Sequence, residues 1–96
     1  MEQIFYVRGK GRATKALTVF SDGQQYRLNF LILGRTNPTK AERAAGAKEK
    51  RFEILNENIF VQHDQEIIPS QFPLPELVQQ FVEFLIERKG HATDSH

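Results

Sequence analysis

The sequence lacks cysteine and tryptophan, and its clearest apolar run, Phe30–Leu33, is only four residues long. Without cysteine there are no disulfides, no thiolate nucleophile and none of the cysteine-based zinc sites of small domains. The apolar run is far shorter than the roughly 20 residues of a transmembrane helix. Glu2 stands where a secretory signal carries positive charge. We therefore expect a soluble, cytoplasmic protein that does not bind a membrane.

Residues that carry catalytic or metal chemistry are also scarce. The three histidines are His63 in a predicted turn and His91 and His96 in a polar C-terminal segment, where no scaffold fixes metal geometry. No helix follows the glycines of residues 9–11, so the strand–loop–helix context of a nucleotide-binding loop is missing. The serines have no evident histidine and acid partners. We predict a binding protein rather than an enzyme, with no metal and no cofactor.

Charge is divided between the two halves of the chain. Residues 1–51 carry eleven Lys and Arg against four acids, a net charge of +7, whereas residues 52–96 carry two bases against eight acids, a net charge of −6. Such asymmetry favours either a polyanionic partner or two faces of the protein that attract each other.

Period-two alternation with β-branched and aromatic residues predicts an antiparallel sheet of four to five strands. The predicted strands are Gln3–Arg8, Lys15–Ser21, Gln25–Leu33, "RFEIL" at 51–55 and "IFVQH" at 59–63, the last two joined by "NEN".

The dipeptide Asp22-Gly23 predicts a two-residue hairpin loop that pairs Ser21 with Gln24. This register places one set of apolar side chains on a single face, whereas the opposite face is mixed. The apolar set is Leu17, Val19, Tyr26, Leu28, Phe30 and Ile32, and the mixed set is Thr18, Phe20, Arg27 and Asn29.

A C-terminal amphipathic helix is predicted at Leu74–Lys89, with Pro75 at its start and Gly90 as its stop. Residues 34–51 break the strand pattern and are predicted to be a mobile basic loop or a short helix with a capping box. The expected fold class is α+β, a curved β-β-β-β-α sheet backed by one helix. It forms a single domain over residues 1–90 with a disordered tail over 91–96.

The apolar stripe of this helix spans roughly 200°, where little over 100° suffices for one contact. A homodimer through the helix would cover the excess, with an interface of Phe81, Phe84, Leu85 and Ile86. The alternative is that the connection around Ile67, Ile68 and Phe72 covers it.

Binding of single strands without a sequence code needs cations for phosphates and aromatic faces for bases. Basic residues lead into the hairpin and follow it, and Phe20 and Arg27 share the mixed face between these two segments. The candidate nucleic-acid-binding residues are Arg8, Lys10, Arg12, Lys15, Phe20, Arg27, Arg35, Lys40, Arg43, Lys48, Lys50 and Arg51.

The stretch "GKGRATKALTV" resembles the Lys-Gly-Lys motif and following strand of plant Whirly domains, with Lys10-Gly11-Arg12 as the basic part. "KRFEIL" and "FVEFLIERKG" are similar to the basic-aromatic strand and the helix of PUR repeats. The resemblance implies a dimer that binds single-stranded DNA or RNA. The alternative from the residues alone is a protein-interaction module, such as an adaptor, an inhibitor or a small subunit of a larger assembly.

Overall fold

The computed structural model of the chain describes residues 1–36, 38–49 and 51–94. Four strands are followed by a long helix, with a short helix before the fourth strand. The elements are β1 Glu2–Arg8, β2 Thr14–Ser21, β3 Gln25–Thr36, α1 Lys40–Ala44, β4 Arg51–Gln62 and α2 Pro75–Asp94, with a 3₁₀ turn at Pro69–Gln71. The strands form one antiparallel sheet in the order β1-β2-β3-β4, which confirms the predicted α+β class.

The prediction of two strands joined by "NEN" is wrong, because β4 runs unbroken from Arg51 to Gln62 and pairs with β3 along its whole length. Asn56 and Asn58 are typical of turns, but here their side chains accept hydrogen bonds from the Asn29 amide across the pair. Cross-strand side-chain bonds of this kind stabilise a sheet that the local sequence disfavours.

The hairpin loop is longer than predicted, since Ser21 pairs with Tyr26 rather than with Gln24. Asp22 causes the difference: its carboxylate accepts hydrogen bonds from the backbone N–H groups of Gln24 and Gln25 at 2.9 Å each, which closes a wider turn. Because the register moves by two residues, every side chain keeps its predicted face.

The core lies between the predicted apolar face of the sheet and α2. Its buried residues are Leu17, Val19, Leu28, Phe30, Val61, Leu77, Val78 and Phe81. The Phe81 ring lies 5.4 Å from that of Phe5 and 5.3 Å from that of Tyr26. Burying each large apolar side chain contributes about 1.5–3 kcal/mol, so this cluster is the main source of stability.

Phe81 is completely buried within its own chain, so it is not available to a dimer partner, contrary to the prediction. Phe84 and Leu85 are half-buried, and the Phe84 ring lies 5.0 Å from that of Phe5. The wide stripe is covered partly as the alternative stated, since Ile67 and Phe72 pack against the core. Of the four predicted interface residues, only Ile86 is well exposed, at 64%.

The helix also runs further than expected, through Gly90 to Asp94 rather than ending at Gly90 before a disordered tail. A glycine costs a helix only about 1 kcal/mol relative to alanine and does not by itself end one. Residues 95 and 96 lie outside the described chain. Neither helix, over the residues described, is both long enough and apolar enough for a bilayer crossing.

The segment between β3 and β4 contains the short helix that its sequence suggests. Thr39 and Glu42 form the capping box: the Thr39 side chain accepts from the Glu42 N–H, and the Glu42 side chain accepts from the Thr39 N–H. Helix α1 has no buried residues. It is therefore held by its cap and not by packing.

Candidate nucleic-acid interface

The face of the sheet opposite α2 is open, and strand alternation determines which residues reach it. Two aromatic side chains stand well out of this open face: Tyr6 on β1 is 55% exposed and Phe60 on β4 is 54% exposed. Thr18, Phe20, Arg27 and Asn29 also lie on this face, as the sequence predicts. The open face thus combines exposed rings with polar side chains.

Phe20, Arg27 and Phe60 occupy one row across β2, β3 and β4, because Arg27 pairs with both phenylalanines. The Arg27 guanidinium carbon lies 4.4 Å from the centre of the Phe20 ring. Its Nε is enclosed and has no hydrogen-bond partner. Stacking on Phe20 therefore positions the guanidinium, and the cation–π contact contributes about 0.5–2 kcal/mol.

The open face carries no carboxylate among the strand residues that the structure describes. Glu2 and Glu57 are at strand positions that belong to the helix side of the sheet. Glu2 pairs with Ser21, and Glu57 pairs with the buried Phe30. Arg8 and Arg27 belong to the open face. The described charged side chains on this face are therefore bases, which favours an anionic ligand.

Both basic segments lie at the same end of the sheet, and this corrects the expectation that Phe20 and Arg27 lie between them. In an antiparallel meander the β1–β2 loop and the β3–β4 connection share one end, which we call the basic end. The β2–β3 hairpin, next to Phe20 and Arg27, lies at the other end. From Arg27 to Thr36, the last residue of β3, the strand covers about 30 Å.

The predicted cations are only partly gathered at the open face. Lys15 is half-buried and has the alternation of the helix side, since it pairs with Ile32. The exposed cations at the basic end are Arg8, Lys10, Arg12, Lys40, Arg43 and Lys48. The side chains of Arg35 and Arg51, and the whole of Lys50, lie outside the described part of the chain.

Gly34 brings the β1–β2 loop close to β3. Its φ is 149°, and a Cβ atom placed on it would lie 2.8 Å from the Cα and 3.0 Å from the Cβ of Ala13. Real Cβ atoms do not approach so closely, so only glycine allows this contact. Gly34 therefore lets Ala13, the last residue of the β1–β2 loop, lie against the backbone of β3.

Tyr6 and Phe60 were not among the candidate residues. The signal was present, since Tyr6 lies between the inward Phe5 and Val7, and Phe60 lies between Ile59 and Val61. In both strands an aromatic residue occupies a position whose side chain faces away from the core.

An open groove of about 1050 Å³ lies on the helix side at the hairpin end. Within it Ser21 Oγ and His63 Nε2 are 2.9 Å apart, a contact that the sequence did not reveal. The His63 ring stacks on Tyr26 with the ring centres 4.0 Å apart, and the backbone N–H of His63 donates to the Gln24 carbonyl. These contacts hold the β2–β3 hairpin against the end of β4, so they stabilise the fold.

The turn between β2 and β3 shifts the pKa of the Asp22 carboxyl group. Hydrogen bonds from the backbone N–H groups of Gln25 and Gln24 hold the pKa of Asp22 below its usual value of 3.8. The carboxylate is thus stabilised by the turn that it closes.

Comparison of the chain with protein-family models, curated proteins and solved structures found no significant match. The resemblance to Whirly and PUR domains stays a prediction.

Proposed function

We propose that this protein binds single-stranded DNA or RNA on the open face of its sheet. The observation that carries the proposal is the composition of that face: exposed Tyr6 and Phe60, Arg27 stacked on Phe20, and no carboxylate among its described residues. Rings supply surfaces on which unpaired bases stack, and a field without acids favours phosphates. Stacking on a sheet face needs unpaired bases, which favours a single strand over a duplex.

The bound nucleic-acid strand would run from the Phe20–Arg27–Phe60 row towards the basic end. That path is about 30 Å along β3, and it brings the backbone to Lys10, Arg12 and the cations of the β3–β4 connection. Such a site holds a small number of nucleotides, within the 4–16 or so that single domains bind. The bases would stack at the Phe20–Arg27–Phe60 row, and the phosphates would contact the cations at the basic end.

The stacking part is tested by fluorescence anisotropy with labelled DNA and RNA oligonucleotides of about 12 nucleotides. Phe60→Ala removes an exposed ring and should weaken binding by about 5- to 140-fold, the loss of one stacked base. Ile86→Ala is the matched control, because Ile86 is similarly exposed but lies on α2. Equal affinities of the two variants would contradict the proposal.

The phosphate part is tested by a salt titration of the same complexes. The slope of log K against log salt falls by about 0.7 for each lost contact to a single strand. Lys10→Glu with Arg12→Glu should weaken binding and flatten this slope. Arg88→Glu, a charge reversal at the hairpin end, should change neither. A wild-type affinity that does not depend on salt would argue against a phosphate contact at the basic end.

A protein partner is the second candidate for the same face. Leu33 and Ile54 pair across β3 and β4 and are 45% and 66% exposed. Contiguous apolar side chains of this kind are typical of interaction sites. In that case Leu33→Ser would disrupt a protein complex while the wild type showed no oligonucleotide binding at physiological salt.

A further inference from the structure

Three asparagines form a hydrogen-bonded cluster on the open face. The Asn29 Nδ2 atom donates to Asn56 Oδ1 at 2.9 Å and to Asn58 Oδ1 at 3.0 Å. Both N–H bonds of the Asn29 amide are therefore used within the protein. The oxygen atoms of Asn56 and Asn58 each accept one of these bonds, and the NH₂ groups of these two exposed residues make no hydrogen bond with the described residues.

The cluster lies beside the stacking position. Asn58 and Phe60 are two residues apart on β4 and belong to the same face, a separation of about 7 Å. A base stacked on the Phe60 ring would bring its polar edge towards the Asn58 amide. The cluster is thus placed to contact base edges rather than phosphates.

The orientation of the amides determines which bases fit. A free asparagine recognises adenine with both its oxygen and its NH₂ group. Here each oxygen of Asn56 and Asn58 already accepts one hydrogen bond from Asn29 and keeps one lone pair, whereas both N–H bonds of each NH₂ group stay open. The cluster therefore offers mainly donors. Guanine and thymine or uracil present a carbonyl acceptor at the position where adenine and cytosine present an amino donor.

We propose that the Asn29–Asn56–Asn58 cluster makes the open face prefer keto bases, guanine and thymine or uracil, over amino bases. The inference rests on the proposed function and adds a base preference to it. A donor meeting a donor loses a hydrogen bond and leaves both groups unpaired, which gives about tenfold discrimination for one contacted base.

Two labelled oligonucleotides of about 12 nucleotides, alternating TG and alternating CA, test the preference. They have the same length, the same charge and equal numbers of purines and pyrimidines, so they differ mainly in keto against amino groups. Anisotropy titrations at one salt concentration should give about tenfold tighter binding of TG. Equal, tight binding of both would overturn the preference and leave the proposed function standing, whereas no binding of either would overturn both.

Asn58→Asp tests the residue itself. A carboxylate keeps the acceptor for Asn29 but replaces the outward donor with an acceptor, so the TG to CA ratio should fall to about one or below. Gln62→Glu is the control, since it adds the same charge to the same strand and face. It should weaken both oligonucleotides by a similar factor and keep the ratio. The same ratio in both variants would show that Asn58 does not contact the bases.

Discussion

Gly34→Ala tests the close contact between the β1–β2 loop and β3. The added Cβ would lie 2.8 Å from Ala13 Cα, and alanine would also have to adopt a φ of 149°. Overpacking of a tight contact costs about 1–3 kcal/mol, and the backbone strain adds about 1–2 kcal/mol. We expect a loss of about 2–5 kcal/mol, a large part of the roughly 5–14 kcal/mol typical of a domain of this size.

Urea unfolding followed by circular dichroism measures this loss, because the chain has no tryptophan. Gly11→Ala is the matched control: its φ is 120°, but a Cβ there would meet no atom within 4 Å. It should therefore show the strain without the overpacking. Equal destabilisation by the two substitutions would refute the inference that the Ala13 contact holds the loop in place.

Three further predictions concern the hairpin and the helix. Because the pKa of folded Asp22 lies below its unfolded value of 3.8, its stabilisation is present above that value and is lost as pH falls through the folded pKa. Thermal melts should thus show a steeper loss of stability below about pH 4 for wild type than for Asp22→Asn, which keeps an acceptor, and parallel losses would contradict this. Phe81→Ala should cost about 3–5 kcal/mol in urea unfolding. Ile86→Glu should cost less than about 0.5 kcal/mol, so light scattering of that variant tests self-association through the helix without unfolding the chain.

The sequence predicted the two faces of the sheet better than its register. Alternation depends on a period of two, so Leu17, Val19, Leu28 and Phe30 reached the core although the hairpin pairing was displaced by two residues. The pairing itself depended on the hydrogen bonds that the Asp22 carboxylate accepts from the backbone N–H groups of Gln24 and Gln25. Dipeptide rules do not include that side-chain hydrogen bond.

One feature of the candidate site depended on contacts that are distant in sequence. Turn-like asparagines within β4 became part of the strand because β3 supplies the Asn29 amide across the pair. The common location of the two basic segments, in contrast, follows from the predicted β2–β3 hairpin alone, because the start of β2 and the end of β3 lie together at its open end. Local propensity is a weak guide where tertiary partners decide the outcome.

The separation of charge along the sheet also has a consequence for the rate of association. Arg12 and Lys48 lie at one end, whereas Asp22 and Glu66 line the groove at the other, and α2 starts near Gly9 at the basic end. The helix dipole therefore adds to the dipole of the side chains. In the field of a polyanion such a molecule is oriented with its basic end towards the polyanion before contact. Added salt would then slow capture more than it speeds release.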